Sequence, residues 1–416
     1  MKVGIIGGGA AGLLTTWLLE QSCDVILFEQ KDVLGGHART IYIDLEGKKV
    51  PIEIGFEFFN KLMFPNFCKL LKILDIQTEA YPLSFSFFKP ENDHAVVLPP
   101  IQKKIFWYDF LPSNLLNLIQ LKYLMYKSAK IIKDIDTSIT LESFLNNLKL
   151  TSTFKNDFFL PLFAAGWGAK PQEFKTFAAY NILSWIMKNE SMGLKNCKWL
   201  EIVDGVSVYI NSLGSQINKA KIITSSNILK ITYNNNKYII EQKNNFIHEV
   251  DHLIIATNAS DAAKLLSNIE HAKPLYNSLN KIEYIDAKVA IHSDIRFMPK
   301  YQSEWSISNI IYNGIDSTLT FYKKWKSKKP IFRSWLYPSF FTPENIYAIE
   351  DFKHAKPNLD YFKSQKTIEN LQGRNNLWLA GLYTHDIDAH ESAVVSAIKV
   401  AKRLAPDSER LKKLTQ

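Results

Sequence analysis

The first thirty residues constrain the fold of this chain more than any other stretch. The apolar run Val3–Ile6 leads into a glycine-rich segment, residues 7–12 (GGGAAG), and an apolar, helix-forming stretch follows. A second apolar run, Asp24–Phe28, ends directly before Glu29. Strand, glycine turn, helix and strand in this order are typical of a Rossmann-type βαβ unit, in which the helix N-terminus faces phosphate oxygens. The sequence therefore predicts a dinucleotide-binding domain.

The glycine spacing G-x-G-x-x-G assigns a physical role to each position. Gly7 makes the tight turn, Gly9 lets the backbone approach a pyrophosphate, and Gly12 lets helix and strand pack closely. Glu29 lies twenty residues after Gly9, where its carboxylate is expected to accept hydrogen bonds from a ribose diol. The predicted dinucleotide contacts in this unit are Gly7, Gly9, Ala10, Ala11, Gly12, Glu29 and Gln30.

The segment after Glu29 indicates which dinucleotide is bound. Residues 29–40 (EQKDVLGGHART) resemble the E-x(5)-GG-R/H-x-x-T extension of the FAD-dependent amine oxidase and phytoene desaturase superfamily. The resemblance implies FAD as cofactor, with the second glycine pair and a following basic residue near its phosphates. His37 stands where arginine is common, so Arg39 is expected to share that contact. The contacts implied are Gly35, Gly36, His37, Ala38, Arg39 and, from a D-x-G-like strand in which Glu53 replaces aspartate, Phe56.

Later segments extend the same resemblance. Residues 221–231 resemble the strand and turn whose backbone groups bracket adenine, and residues 251–257 resemble the family's return strand. Residues 376–397 are similar to the C-terminal flavin motif, in which a helix start faces the isoalloxazine. Leu382 stands where that motif often has an acid. The contacts implied are Ile228, Ala256, Gly381, His390 and Glu391. Segments 159–168, 199–205 and 347–357 further resemble predicted NAD/FAD-binding proteins encoded beside cyclopropane-fatty-acid synthases.

The resemblance implies an α/β fold with two discontinuous domains. The expected FAD-binding domain comprises residues 1–60, 198–265 and 365–405. The expected substrate domain comprises a largely helical insertion, residues 61–197, and a strand-rich insertion, residues 270–364. Residues 406–416 are expected to form a tail.

Composition argues against several other classes of protein, namely nucleic-acid-binding, metal-binding and membrane-spanning ones. The chain has 416 residues, 46% of them hydrophobic, and a net charge of +9. Its lysines are dispersed, and it shows neither a nucleic-acid motif nor metal-ligand spacing, so we expect no nucleic-acid partner and no metal. Three cysteines without C-x-x-C spacing indicate reduced thiols in a cytoplasmic protein. No apolar run is long enough to span a bilayer. The oligomeric state stays open.

Residues 101–133 interleave lysines with aromatic and aliphatic residues. Such a pattern is compatible with amphipathic helices in a membrane interface, which would make the protein peripheral at the inner membrane face. The pattern favours the alternative, a pair of ordinary surface helices packed on the domain core.

The candidate catalytic residue is Lys288, in segment 286–292 (DAKVAIH). This segment aligns loosely with the strand that carries the flavin-contacting lysine of many amine oxidases, which holds a water against flavin N5. On an alternating strand, Lys288 could instead face solvent.

The function implied is an FAD-dependent oxidoreductase in which a hydride passes from an organic substrate to flavin N5. Several aromatic residues of the two insertions favour an apolar substrate, an amine or a fatty acyl group: Trp167, Trp185, Trp305, Tyr322, Trp325 and Trp335. Two alternatives stay open. One is a redox-neutral flavin isomerase or mutase, and the other is a non-catalytic FAD-binding partner of a lipid-modifying methyltransferase.

Overall fold

The computed structural model describes residues 1–45, 47–98, 107–188 and 198–416. Its α-helices are α1 Ala10–Leu19, α2 Pro65–Ile73, α3 Pro112–Lys133, α4 Leu141–Asn146, α5 Leu160–Trp167, α6 Pro171–Phe174, α7 Ala179–Lys188, α8 Ser207–Ser215, α9 Ala259–Leu266, α10 Lys273–Leu279, α11 Leu359–Leu371, α12 His390–Leu404 and α13 Glu409–Thr415. Its strands are β1 Lys2–Ile6, β2 Asp24–Phe28, β3 Thr40–Leu45, β4 Lys48–Glu53, β5 Thr78–Tyr81, β6 Phe85–Phe88, β7 Val96–Leu98, β8 Trp199–Ile202, β9 Lys221–Ile223, β10 Ile228–Asn234, β11 Lys237–Gln242, β12 Ile247–Val250, β13 His252–Ile255, β14 Tyr284–His292, β15 Ser308–Tyr312, β16 Ser317–Tyr322, β17 Phe332–Leu336, β18 Ile346–Ala355 and β19 Leu377–Leu379.

A five-stranded parallel sheet, in the order β19-β13-β1-β2-β9, carries the glycine-rich turn. Strands β1, β2, β13 and β19 are apolar and mostly buried because helices cover the sheet, whereas the edge strand β9 is partly exposed. Helix α1 packs against α12 and α8. Since all five strands run in one direction, their carboxyl ends meet at one edge of the sheet, where a ligand is expected.

A second, seven-stranded sheet has the order β18-β14-β17-β16-β15-β6-β7. Helix α5 packs on β15 and β16, and the β3–β4 hairpin packs against β14 through Ile43, Ile54, Val289 and Ile291. Two sheets with helices on their faces confirm the predicted α/β class.

The structure departs from the predicted segments in two places. The insertion predicted to be largely helical, residues 61–197, also supplies β6 and β7 to the seven-stranded sheet. The expected tail contains α13, whose Leu411 and Leu414 are buried and whose Arg410 donates to Glu20 at 2.6 Å. In the segment 101–133, residues 101–106 lie outside the described residues, and most of the remainder is the single helix α3.

Candidate functional site

The glycine-rich turn connects β1 to α1 under tight steric limits. Gly7 has φ +107°, and a Cβ there would lie 2.7 Å from the Ala256 carbonyl oxygen. A Cβ on Gly12 would lie 1.9 Å from the carbonyl oxygen of Gly7. Both positions therefore require glycine for the fold itself, through a close approach between backbones.

Gly9 requires a different explanation. Its backbone is extended, with φ −72° and ψ −176°, a conformation open to any residue. A Cβ on Gly9 would have one neighbour within 4 Å, the Cα of Gly36 at 4.0 Å. The space in front of Gly9 thus lies between two glycine segments, at the N-terminus of α1, where Ala10 and Ala11 present N–H groups that the helix cannot satisfy. This cradle, which a side chain would fill, fits a pyrophosphate.

The second glycine pair closes the cradle. Gly35 donates its N–H to the Gly8 carbonyl at 2.9 Å, and Ala38 donates to the Gly35 carbonyl at 3.0 Å. Gly35 and Gly36 both have positive φ, 116° and 59°, so the chain can fold back against the first turn without strain. The structure thus brings the two predicted glycine motifs together.

Glu29 lies at the carboxyl end of β2, half-buried beside the same turn. Its Oε2 accepts a 2.6 Å hydrogen bond from the Gly8 N–H, and its Oε1 accepts one from Lys31 at 2.9 Å. The main chain of Glu29 is fixed by β9 and by Ser226, which leads into β10 at Ile228. Gln30, which follows, is exposed. The carboxylate therefore orients the glycine turn, and its remaining lone pairs can accept from a ribose.

His37 and Arg39, the basic residues after the second glycine pair, both face β18. The ring centroids of His37 and Phe352 are 5.1 Å apart, and desolvation lowers the His37 pKa to about 4. The guanidinium of Arg39 forms an ion pair with Glu350 at 3.0 Å. The charge of Arg39 is thus matched by a carboxylate of the seven-stranded sheet, and its predicted phosphate contact stays a prediction.

The carboxyl ends of β13 and β19 lie beside Gly7. Ala256 donates its N–H to the Ile6 carbonyl at 2.7 Å, and Gly381 donates its N–H to the Ser396 hydroxyl at 2.9 Å. Gly381 has φ +147° and leads through Leu382 towards α12. The hydroxyl of Ser396 thus ties the end of β19 to α12, which begins at this edge of the sheet.

At the start of α12, His390 stacks on Phe56 with ring centroids 4.0 Å apart and an interplanar angle of 10°. The Tyr209 hydroxyl lies 2.8 Å from His390 Nε2, and burial lowers the His390 pKa to about 3. Glu391 lies next to it but contacts α2: its oxygens accept from the N–H groups of Asn66 and Phe67 at 2.9 and 3.0 Å. Both carboxylate oxygens of Glu391 therefore bond the N-terminus of α2, and the cofactor contact expected at this helix start stays a prediction.

The structure also corrects the predicted position of Lys288 beside the flavin. Lys288 lies directly across from Asp351 of β18, with the ammonium 3.5 Å from the carboxylate and both side chains more than half exposed. The neighbouring Val289 faces the β3–β4 hairpin instead. Because side chains alternate along a strand, Lys288 lies on the solvent face, away from the glycine segments.

A polar group that the sequence did not reveal lies just before α12. Asp388, whose side chain is 2% exposed, accepts hydrogen bonds from Trp167 Nε1 at 3.0 Å and Asn181 Nδ2 at 2.8 Å. Burial raises its pKa, which the nearby His354 opposes. His354 Nε2 is 3.6 Å from the Asp388 carboxylate, and its Nδ1 is 2.7 Å from the Trp167 carbonyl. Because a carbonyl only accepts, Nδ1 carries a proton and Nε2 is the basic atom in neutral His354.

A buried charge cluster near Phe56 links the seven-stranded sheet to the segment after β4 and to β8. The Glu57 carboxylate pairs with Arg333 at 2.6 Å and with Lys323 at 2.8 Å, and Lys323 also pairs with Glu201. Arg333 donates to the Gly55 carbonyl at 3.1 Å as well. The cluster thereby anchors the segment that carries Phe56. It was not predicted, since its members are scattered along the chain.

Glu53 lies beside that cluster. Its carboxylate accepts from the Thr40 hydroxyl at 2.9 Å and from the Val206 N–H at 3.2 Å. Burial raises the Glu53 pKa to about 7, against the opposing effect of Lys323. The glutamate that replaces the expected aspartate is therefore a structural acid that titrates near neutrality.

The aromatic residues that favoured an apolar substrate separate into several groups. Trp167 packs against Trp185 with centroids 5.3 Å apart, and the Trp335 ring lies near His354. Trp305 instead packs on Tyr322. Trp325 donates to Glu201 in the charge cluster. Only the first group adjoins the start of α12. Within the described residues no group of three or more His, Cys, Asp or Glu side chains could hold a metal ion.

Comparisons with known proteins agree with this geometry. The sequence profile of the family described as "Flavin containing amine oxidoreductase" matches residues 10–330. No curated protein matches the chain. Among solved structures, cyclohexylamine oxidase from Brevibacterium oxydans IH-35A is similar, with TM-score 0.72, 14% identity, and coverage of 98% of this chain and 99% of that one.

Two further structures show the same fold. A CLA-producing fatty acid isomerase from P. acnes has TM-score 0.70 and 15% identity, over 97% of this chain and 98% of that one. A triple mutant of putrescine oxidase has TM-score 0.70 and 12% identity, over 98% and 99%. The profile match covers most of the sequence, and the glycine cradle fits the pyrophosphate of its cofactor, FAD. The chain belongs to the flavin-containing amine oxidoreductase family.

Proposed function

We propose that this protein is an FAD-dependent oxidoreductase that takes a hydride from an apolar organic substrate, an amine or a fatty acyl group. The observation that carries the proposal is the position of β18 beside the segment that follows the second glycine pair. Phe352 of β18 contacts His37, and Glu350 of β18 pairs with Arg39. The strand-rich insertion thereby covers the cofactor segment and presents side chains towards it.

The cofactor side of the site is built by the FAD-binding segments. Gly9 and Gly36 leave room for the pyrophosphate, the start of α1 donates N–H groups to it, and Glu29 accepts from the ribose. When bound, FAD supplies the hydride acceptor, and the protein supplies position and electrostatics. The N-terminus of α12 carries partial positive charge, which stabilises negative charge that develops in front of it.

The substrate side is built by Trp167, Trp335 and His354. The indoles offer apolar surface, and His354, which lies near the Trp335 ring and bonds the Trp167 carbonyl, offers the basic atom Nε2. Asp388 is placed to stabilise the imidazolium that forms when His354 Nε2 takes a proton from the substrate, because its carboxylate is 3.6 Å away. A substrate that loses a proton and a hydride, an amine or a saturated acyl chain, suits this arrangement.

The structural neighbours include amine oxidases and a fatty acid isomerase. At 12–15% identity they show the fold alone. The proposed substrate class therefore rests on the apolar surface of Trp167 and Trp335. The redox-neutral and non-catalytic alternatives differ from the proposal in one observable, which is whether substrate alone reduces the flavin.

The test is an anaerobic titration of the purified protein with candidate amines and with fatty acyl lipids, followed in the flavin visible spectrum. Stoichiometric bleaching without added reductant supports the proposal. Conversion of substrate only after chemical reduction of the flavin would identify an isomerase and overturn it. His354→Gln should slow bleaching at unchanged FAD content. The matched variant His271→Gln, at a histidine bonded to Tyr238 of β11, should not.

A further inference from the structure

Helix α3 presents one face to the protein and leaves the other uncovered. Its buried positions lie on a single side and pack against α7 and the neighbouring helical segments: Gln120, Leu121, Leu124, Ser128 and Ile131. At 100° per residue, the opposite side is a stripe that runs the whole length of the helix, about 33 Å for 22 residues. The character of that stripe changes halfway along.

The N-terminal half of the stripe is apolar. Phe110 and Leu111 precede the helix, and Leu115, Leu116 and Ile119 continue the surface. Ile119 is 64% exposed, and Phe110 is 57% exposed. Single exposed apolar residues are ordinary on a protein surface, but a contiguous apolar patch marks an interaction site.

The C-terminal half of the stripe is basic. It carries Lys122, Lys127, Lys130 and Lys133, and the helix contains no acidic residue. Within the part of the chain that the structure describes, none of these four lysines forms an ion pair. Tyr126, which is 76% exposed, lies among them. The stripe thus combines exposed apolar surface at one end with unpaired positive charge at the other, the two properties that attract a protein to an anionic bilayer surface.

We propose that α3 docks this protein on an anionic phospholipid surface. The apolar segment Phe110–Ile119 enters the boundary between headgroups and acyl chains, while the four lysines lie against headgroup phosphates. A second copy of the chain fits this face less well, because a two-fold axis across the stripe would place lysines on the apolar half or on other lysines. Among the described residues, no helix is long and apolar enough to cross a membrane, so the contact proposed is peripheral.

The docking surface is adjacent to the substrate side of the site. Helix α3 packs on α7, and Asn181 of α7 donates to Asp388 just before α12. Helix α7 therefore lies between α3, which carries the stripe, and the Trp167–Asp388 group. The docking proposal stands independently of the proposed reaction, since vesicle binding is measured without turnover.

The test is co-sedimentation of the holoprotein with vesicles of phosphatidylcholine alone and of phosphatidylcholine mixed with phosphatidylglycerol, at low and high salt. We expect binding to the anionic vesicles that weakens with salt. The triple variant Lys122→Gln, Lys127→Gln, Lys130→Gln should bind about 100-fold more weakly, at about 5-fold per lysine. Ile119→Glu should also lose binding, because it places a charge in the apolar half.

Matched controls are exposed positions elsewhere. The triple variant Lys243→Gln, Lys402→Gln, Lys413→Gln has the same charge change, and Ile315→Glu alters an isoleucine that is 72% exposed. Both controls should bind vesicles like the unmodified protein, with the same flavin spectrum. Equal binding by the two lysine triples, negligible binding to anionic vesicles, or a vesicle-free dimer that Ile119→Glu dissociates would each overturn the proposal.

Discussion

The glycine cradle and the substrate wall are assembled in different ways. In the cradle, residues 7–12 and 29–38 come from two short stretches, and their contacts are mainly between backbones. The proposed substrate wall is the group around Asp388. Its members come from separate segments and meet through side chains: Trp167, Asn181, His354 and Asp388. Local backbone geometry therefore defines the cofactor site, whereas long-range packing defines what is presented to the substrate.

The largest expected effect is on the cradle. Gly9→Val should abolish FAD binding while the protein remains folded, because the Gly9 backbone is extended and its Cβ meets no protein atom closer than 4.0 Å. Gly12→Ala, in contrast, should destabilise the fold, since its Cβ would overlap the Gly7 carbonyl. Flavin absorbance and circular dichroism distinguish the two. Normal FAD content in the Gly9 variant would contradict this account.

The next effect concerns the buried charge cluster near Phe56. Arg333→Met should lower the free energy of unfolding by about 3–5 kcal/mol, because it leaves the buried Glu57 carboxylate partly unmatched. The matched variant Lys288→Met removes a solvent-exposed pair and should cost less than about 1 kcal/mol. Urea unfolding measures both. Equal losses would show that the cluster does not anchor the Phe56 segment.

A smaller effect should appear as pH dependence. The Glu53 pKa is raised in the folded state to about 7 from an ordinary value of 4.5. Stability from this group is therefore complete below about pH 4.5 and is lost as the pH rises towards 7, by roughly 3 kcal/mol at 1.36 per pH unit. Glu53→Gln should remove this part of the slope. If the unmodified protein and Glu53→Gln showed the same slope of stability against pH, Glu53 would not be the group that titrates in this range.

The smallest of these effects is at the ribose. Glu29→Ala should weaken FAD binding by about 1–3 kcal/mol, because it leaves the Gly8 N–H and the ribose hydroxyls without their acceptor. Glu29→Gln keeps one acceptor oxygen and should lose less. Equilibrium titration of the apoprotein with FAD gives both constants. If the alanine variant bound FAD as tightly as the unmodified protein, Glu29 would not be a ribose contact.

The same contrast explains what the sequence could predict. The cradle was predictable because its residues are contiguous and glycine leaves few alternatives at Gly7 and Gly12. The orientation of Lys288 depends on the register of β14 against β18, which a single strand does not encode. The partners of Arg39 and Glu391, more than 300 residues away along the chain, could not be inferred from local pattern either.

The most direct test of the account is the flavin content of the purified protein. We expect a yellow protein whose chromophore is released by heat or acid and identified by chromatography as FAD in equimolar amount, and which Gly9→Val lacks. A colourless protein that does not take up added FAD would contradict the central claim. FMN as the released flavin would also contradict it, since FMN has neither the pyrophosphate nor the adenosine ribose that the cradle and Glu29 are assigned to bind.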